Sequence, residues 1–214
     1  KKTKNNWQWN GSKRFFIYEK NIYFPNGVQA KGKTDTKKIF YTALYHTMFA
    51  PSVFNDANGD YRGTDKKVYK KAGFTNYTTF SLWDTYRALH PLYTITQPDK
   101  INDIVKSFLA IYQQQGRLPV WHLMGNETNC MNGNHSIPVI VDAYFKGYRD
   151  YDTALAYEAL KKTAMQTRDG MDYVQKLQYI PADSLTETVA NALEYAIDDW
   201  CIAQMAKDLN KMED

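Results

Sequence analysis

Cysteine is scarce in this chain of 214 residues, which contains only Cys130 and Cys201. Their separation excludes the closely spaced cysteine pairs of zinc ribbons and thiol oxidoreductases, and two cysteines cannot build a disulfide scaffold. They could form one disulfide or remain as two thiols. The interpretation we favour is two free, buried thiols.

Long apolar runs and common catalytic motifs are also missing. No segment approaches eighteen uninterrupted apolar residues, so we expect no membrane span. The first residues lack the apolar stretch of a signal peptide, and without an initiator Met we expect the natural N-terminus to lie upstream. The absence of GxGxxG, P-loop, GxSxG and HExxH patterns leaves nucleotide binding, acyl transfer and zinc proteolysis without support.

Basic and aromatic residues, in contrast, are plentiful. The net charge is +4, and many of the lysines lie near the start, around Trp7 and Trp9. This pattern suits either a nucleic-acid arm or a solvated basic face, and we favour the second and expect no nucleic-acid partner. The 17 Tyr and 5 Trp supply more flat apolar rings than a core needs, as sugar stacking or domain docking would require.

Helical periodicity dominates after residue 34. Residues 1–34 have no helical period and predict a linker, an irregular segment or a short β-hairpin closed by a turn at Pro25, Asn26 and Gly27. Amphipathic helices are predicted over 35–51, 79–90, 96–116, 138–146, 152–165 and 186–209. The chain is therefore mainly α, consistent with a bundle or with part of a double-layered helical toroid.

Several boundary and packing residues sharpen these helices. Thr96, Ser136 and Asp152 are expected to cap the helices that follow them, and Gly116 and Gly147 to end helices. Pro51 should close the first helix, and Pro91 should turn His90 away from helical geometry. The last helix should bury one side, formed by Val189, Leu193, Ala196, Ile197, Trp200, Cys201 and Met205.

The segment from Arg117 to Pro138 is the richest in side-chain chemistry. It carries a carboxylate at Glu127, imidazoles at His122 and His135, and a flat apolar ring at Trp121. Such a loop is typical of a binding or catalytic site, and a carboxylate beside an aromatic ring suggests a sugar. Glu127 could instead brace its own loop. The two histidines favour a core or supporting role over a metal site.

Other carboxylates leave alternatives open. Asp84 follows Trp83 in an apolar helix and either pairs with Arg87 or contacts a ligand. Of Asp198 and Asp199, one must face inward, in a salt bridge or lining a cavity. Asp56, Asn58 and Asp60 begin like a calcium loop, but Tyr61 and Lys67 replace the required Gly and Glu, so a polar turn is the better interpretation.

Five longer motifs together resemble the glycoside hydrolase family 92 α-mannosidases over roughly residues 36–209. Because several motifs occur in the family's order, the resemblance does not depend on one short pattern. Asn134 departs from the family, whose members carry an aromatic residue before the histidine, and this could alter the leaving-group side. The motifs are FYTALYHT (40–47), DANGDYRG (56–63), YTTFSLWDTYRALHPL (77–92), GNETNCM (125–131) and EYAIDDWCIAQMA (194–206).

The resemblance implies an exo-acting, calcium-dependent, inverting α-mannosidase that removes terminal mannose from α-mannosides or N-glycans. Residues 35–214 would be the first part of an (α/α)6 barrel, and the N-terminal β-sandwich and the remainder of the barrel would lie outside this chain. The catalytic acid and base and the Ca²⁺ ligands would lie there too. The substrate, a mannose-containing oligosaccharide, would be bound here by Trp83, Asp84, Glu127, Thr128, Cys130, Met131 and His135.

Two alternatives to this reading stay open. From composition alone Glu127 would be the catalytic acid and Asp84 the base, whereas the resemblance makes both of them sugar-binding or cavity-shaping. The chain could also belong to another (α/α)6 glycosidase, or be a non-catalytic helical module that binds glycans or a partner. The resemblance implies a secreted, periplasmic or bacterial cell-surface location, and the isolated chain should be inactive.

Overall fold

The computed structural model describes residues 6–9, 13–18, 21–23, 30–211 and 213. Its contacts divide the chain into two compact units, Lys1–Val53 and Phe54–Asp214. The boundary predicted between residues 34 and 35 stays a prediction.

The first unit begins with three antiparallel strands in sequence order: β1 (Asn6–Trp9), β2 (Lys13–Tyr18) and β3 (Asn21–Tyr23). Trp7 pairs with Phe15 and Ile17 with Ile22. The predicted hairpin is therefore extended by one more strand, as the alternating aromatic residues favour. The predicted turn at Pro25 to Gly27 lies outside the described residues.

Helix α1 (Thr34–His46) confirms the first predicted helix, and β4 (Ser52–Val53) ends the unit. The helix ends at His46, where Thr47 folds back and its Oγ1 donates to Leu44 O at 2.7 Å. Pro51 is therefore not what terminates it. Only Tyr41 and Leu44 of α1 are buried.

The second unit is mainly helical. Its short strands form two small antiparallel sheets, β5 with β6 and, in spatial order, β10, β9 and β8. The strands are β5 (Tyr61–Arg62), β6 (Val68–Tyr69), β7 (Tyr77–Thr78), β8 (Phe80–Ser81), β9 (Trp121–Leu123) and β10 (Asn126–Glu127). The helices are α2 (Leu82–Thr85), α3 (Leu89–Thr96), α4 (Ile101–Gln115), α5 (Ser136–Phe145), α6 (Thr153–Ala164), α7 (Met171–Leu177) and α8 (Thr188–Asp208).

The core of this unit is built around α4, whose predicted apolar stripe is confirmed. Every residue of the stripe is buried, in one core cluster with residues of α5, α6 and α8 such as Ile140, Leu160 and Met205. Gly116 ends the helix with a φ of 81°, as predicted. The stripe consists of Ile101, Ile104, Val105, Phe108, Leu109 and Tyr112.

The helix predicted over residues 79–90 is wrong. Phe80 pairs with His122 of β9, so the chain enters a sheet before α2 and then α3 begin. Pro91 lies in the first turn of α3, where a missing N–H costs no hydrogen bond, and His90 is therefore helical.

Of the three predicted caps, only Asp152 is confirmed, because its carboxylate accepts from Leu155 N at 2.9 Å. Thr96 ends α3 instead, and its Oγ1 donates to Leu92 O at 3.1 Å. Ser136 is already the first residue of α5, with His135 at the cap position. The prediction at Thr96 placed the start of a helix too early, and the prediction at Ser136 placed it slightly too late.

Helix α8 corrects the predicted buried side. Cys201 and Met205 are buried, but the other five residues of that stripe are exposed, Ala196 among them. The side that packs inward instead carries Asn191, Tyr195 and Asp198. We call the four large exposed residues the α8 seam: Val189 (71% exposed), Leu193 (64%), Ile197 (43%) and Trp200 (63%).

Candidate functional site

The segment from Arg117 to Pro138 begins with a tight hairpin of β9 and β10. Its turn places Met124 and Gly125 at positive φ, 48° and 74°. A Cβ atom at Gly125 would lie 2.9 Å from the Phe54 ring, so the approach requires glycine. The hairpin thereby brings Glu127 back beside the strand that precedes the turn.

Glu127 uses both carboxylate oxygens to hold its own loop together. Oε2 accepts from Val120 N at 2.8 Å, and Oε1 accepts from Trp121 N at 2.8 Å and Asn129 N at 3.0 Å. This is the loop-bracing arrangement. A direct contact of Glu127 with substrate stays a prediction.

Three of the predicted binding residues that follow Glu127 lie on the surface. The Thr128 hydroxyl donates to Trp121 O at 2.7 Å and accepts from Cys130 N at 3.4 Å. Cys130 is a free exposed thiol, which corrects the expectation that both thiols are buried, whereas Cys201 is free and buried as predicted. Met131 is half exposed at a φ of 72°. Substrate-binding roles for these three residues stay predictions.

His135, at the far end of the segment, is only 1% exposed and lies between two carboxylates of α8. Its Nδ1 is 3.0 Å from Asp198 Oδ1 in a hydrogen bond. Its Nε2 is 3.0 Å from Glu194 Oε2, but off the direction of a hydrogen bond. The Tyr86 ring stacks on the imidazole, with centroids 4.1 Å apart and an interplanar angle of 18°.

Asp198 is the buried anchor of this arrangement. Its Oδ2 accepts from Asn134 N at 2.7 Å, so one carboxylate holds both the histidine ring and the backbone before it. Burial raises the pKa of the Asp198 carboxyl, and the hydrogen bond from His135 opposes that rise. Of the two adjacent aspartates, Asp198 faces inward and Asp199 is exposed.

Glu194 lies one helical turn before Asp198 and connects the histidine to α2. Its Oε1 accepts from Trp83 Nε1 at 3.0 Å and lies 3.7 Å from the Arg87 guanidinium. Its Oε2 accepts from the Tyr86 hydroxyl at 3.5 Å. We call this group the His135 cluster; it consists of His135, Glu194, Asp198, Trp83 and Tyr86.

Asp84 lies beside the cluster but does not pair with Arg87. It is exposed and accepts from Ser81 Oγ at 2.6 Å, while Arg87 turns to Glu194. The guanidinium lies 5.0 Å from the centroid of the Trp83 ring and 5.0 Å from that of Tyr86. The ion pair considered from the sequence is therefore wrong, and a ligand contact for Asp84 stays a prediction.

Sequence reasoning did not single out Glu194 or Tyr86 as parts of a site. A usable pattern existed, because Glu194 and Asp198 are four residues apart and share a helix face with buried Tyr195 and Cys201. Two acids on an inward face need partners. A histidine in a distant loop was the available partner.

His122 and the loop from Asp56 to Asp60 have structural roles. His122 is buried, its Nδ1 lies 3.2 Å from Thr78 Oγ1, and burial lowers its pKa to about 4. Asp60 accepts from Lys70 Nζ at 2.7 Å and from Asn58, which confirms a polar turn. Across residues 30–211, no group of three His, Cys, Asp or Glu side chains is arranged to hold a metal ion.

A family model for the glycosyl hydrolase family 92 catalytic domain matches residues 26–214. The chain therefore belongs to glycosyl hydrolase family 92, and its mainly α fold is part of an (α/α)6 toroid.

Solved structures agree with this assignment. The family GH92 α-mannosidase BT3965 from Bacteroides thetaiotaomicron, also solved with mannoimidazole, is 46% identical, with a TM-score of 0.80 over 83% of this chain and 24% of that one. The family GH92 inverting mannosidase BT2199 from the same organism is 35% identical, with a TM-score of 0.80 over 86% of this chain and 26% of that one.

One curated relative adds a fungal comparison. A protein of Arthroderma benhamiae described as an uncharacterized secreted glycosidase is 29% identical over 143 residues, which is 59% of this chain and 18% of the relative. The chain thus spans about a quarter or less of the length of the proteins it matches.

Proposed function

We propose that this chain forms part of the substrate pocket of an exo-acting, inverting α-mannosidase that removes terminal mannose from α-mannosides or N-glycans. Membership of family 92 supports a glycosidase. The two solved relatives described as mannosidases support mannose as the sugar, since they are 46% and 35% identical to this chain.

The observation that carries the proposal is the placement of Trp83 and Asp84 on α2. The indole edge is held by Glu194, and Asp84 next to it is exposed with one hydrogen bond from Ser81. A fixed aromatic face stacks on a sugar ring, and a neighbouring carboxylate can accept from two vicinal hydroxyls. Trp83 is the ring contact in this proposal, and Asp84 is the hydroxyl acceptor.

The acid and base of an inverting glycosidase are not assigned to residues of this chain. Inversion needs two carboxyl groups about 6.5–9.5 Å apart, with room for a water molecule between them. Glu194 and Asp198 are bound to His135, and Glu127 is bound to three backbone amides. We place the catalytic pair in the remainder of the enzyme.

The α8 seam supports further polypeptide packing against this unit. Four large apolar side chains in a row on one helix are costly in water, and such a face is typical of an interface. The proposed partners are the remainder of the barrel and an N-terminal β-sandwich. The isolated chain is then expected to bind weakly and to be inactive.

Dependence on calcium belongs to the same proposal. A calcium ion would need several oxygen ligands converging on one point. The described residues offer no cluster of three metal-ligating side chains, so no step here passes through the metal.

No helix in the described part of the chain has the length and apolar character to cross a membrane. An exported location is proposed from the secreted relative.

The test compares the purified 214-residue chain with the complete gene product that carries it, on α-linked mannobiosides with and without calcium. The complete protein should release mannose from the non-reducing end, and proton NMR should show the β-anomer first. The isolated chain should release none. Release of mannose by the isolated chain would contradict the proposed division of the site. Binding without turnover by the complete protein would favour a non-catalytic glycan-binding module, and hydrolysis of another sugar would favour another (α/α)6 glycosidase.

A further inference from the structure

We propose that Glu194 is a positioning residue that fixes the Trp83 indole as a sugar platform, and that His135 and Asp198 hold Glu194 in place. This inference rests on the proposed function, because it takes Trp83 as the ring contact. It assigns positioning roles to Glu194, His135 and Asp198.

The first step is the contact geometry of Glu194. Each oxygen of this carboxylate meets two groups: Oε1 meets the Trp83 indole N–H and Arg87, and Oε2 meets the Tyr86 hydroxyl and His135 Nε2. The side chain is 15% exposed, so water competes little for these positions. Glu194 therefore links α2, α5 and α8 through one side chain.

The second step concerns the indole itself. Trp83 has a single hydrogen-bond donor, and its 3.0 Å bond to Glu194 fixes the edge of the ring. Arg87 lies 5.0 Å from the ring centroid, on one face. In this proposal the pyranose ring stacks on the opposite face. A tryptophan held at its edge and covered on one face has one orientation to offer a sugar.

The third step explains why Glu194 stays in place. His135 lies against Glu194 through Nε2 and is itself anchored through Nδ1 to buried Asp198. Asp198 also accepts from the backbone N–H of Asn134, which fixes the loop that delivers the histidine. The contacts that fix the orientation of the indole therefore run from the N-terminal end of α5, through α8, to α2.

The kinetic test uses the complete gene product and α-linked mannobiosides. Glu194→Ala should raise KM and lower kcat/KM about tenfold or more, because a misplaced contact residue costs far more than its own interaction. Glu194→Gln keeps an acceptor for the indole N–H and should stay within about threefold of wild type. Asp199→Asn, an exposed neighbour on α8, should match wild type.

A double-mutant cycle then asks whether Glu194 acts through Trp83. Trp83→Phe keeps a ring but has no N–H for Glu194 to hold. In the Trp83→Phe background, Glu194→Ala should lower kcat/KM by less than about twofold. An equal effect in both backgrounds, or wild-type kinetics of Glu194→Ala, would overturn the inference. Should Glu194→Ala fail to fold, Glu194→Asp, which shortens the reach to the indole, should show the same loss and the same coupling.

A fluorescence measurement separates this inference from the proposed function. Acrylamide quenching of the 214-residue chain, taken as the difference from Trp83→Phe, reports access to the Trp83 ring. Quenching should increase in Glu194→Ala and remain unchanged in Glu194→Gln. If the complete protein releases no mannose but this pattern holds, the proposed function fails and the positioning role survives. Unchanged quenching in Glu194→Ala would overturn the positioning role whatever the activity.

Discussion

The two ends of the segment from Arg117 to Pro138 use polar side chains in opposite ways. At the first end, Glu127 bonds to backbone groups 7, 6 and 2 residues away. At the other end, His135 bonds to Asp198, 63 residues away, and the Trp83 and Glu194 pair beside it spans 111 residues. One end builds a loop, and the other joins three helices.

A local density of polar residues therefore does not identify the residue that connects the other side chains of a site. Glu127 stands in the stretch that the sequence marks as richest in side-chain chemistry, yet its carboxylate serves its own backbone. Glu194 stands in an ordinary helix, yet it connects four side chains.

The largest effect is expected from Asp198→Ala. It leaves His135 Nδ1 and Asn134 N without their acceptor in a buried place, which should lower the free energy of unfolding by about 3 kcal/mol. Urea denaturation measures the loss. Asp199→Ala, at the exposed neighbouring position, should cost no more than about 0.5 kcal/mol. Equal costs for the two variants would contradict the anchoring role of Asp198.

Gly133→Ala should come next. Gly133 has a φ of 80°, and an added Cβ would lie 2.5 Å from His135 Nε2. The backbone strain and the clash together should cost about 2 kcal/mol in urea denaturation. Gly73→Ala is the matched control, because Gly73 has a φ of 76° and open space around it, and should cost about 1 kcal/mol. If Gly73→Ala is as destabilising, the close approach to His135 has no energetic weight.

Glu127→Ala should have a smaller effect, confined to the loop. Three backbone N–H groups lose their acceptor, but the site is partly open to water, so we expect about 1 kcal/mol in the free energy of unfolding. Hydrogen exchange should accelerate at Val120 and Trp121. The indole N–H of Trp83 should keep its protection, and its loss would show that the two ends of the segment are coupled.

The pH dependence of the free energy of unfolding should report on His122, which is buried in β9. Burial lowers the pKa of His90 and of His122 to about 4. The unfolded chain binds protons near pH 6.5 while the folded chain excludes them, so stability falls as pH falls from about 6.5 towards about 4. His122→Asn should reduce the slope of stability between pH 6 and 5 by about 1.4 kcal/mol per pH unit. An unchanged slope would show that His122 is protonated in the folded protein.

The smallest effect concerns the two thiols. Cys130 is exposed on the loop, whereas Cys201 is buried in α8 and burial raises its pKa to about 11. A thiol reagent at neutral pH should therefore label one cysteine in the native chain and two in denaturant. Mass spectrometry should locate the first label at Cys130. Labelling of Cys201 at a comparable rate would show that the α8 end opens readily.

Local patterns predicted much of the fold, because they depend on neighbours along the chain. The apolar stripe of α4, the Gly116 exit and the Asp152 cap are of this kind. The helix over residues 79–90 was wrong because Phe80 pairs with His122, a contact that no local pattern encodes. Most of the predicted α8 stripe proved exposed, since periodicity finds apolar faces without telling which of two faces packs inward.

The candidate site was predictable only in part. His135, Trp83 and Asp84 were singled out from the sequence, because histidines and paired aromatic and acidic residues are chemically distinctive, and their contacts with substrate stay predictions. Glu194 was not, since nothing in its own stretch shows that a loop 59 residues earlier delivers a histidine to it. Its spacing of four from Asp198 on an inward helix face was the only local indication.

The NMR resonance of the Trp83 indole N–H reports directly whether Glu194 holds the ring. In ¹H–¹⁵N NMR spectra of the 214-residue chain, Trp83→Phe assigns this resonance. Glu194→Ala should move it to the position of a solvent-exposed indole and remove its exchange protection, while Glu127→Ala should leave both unchanged. An unmoved resonance in Glu194→Ala, or an equal change in Glu127→Ala, would contradict the account.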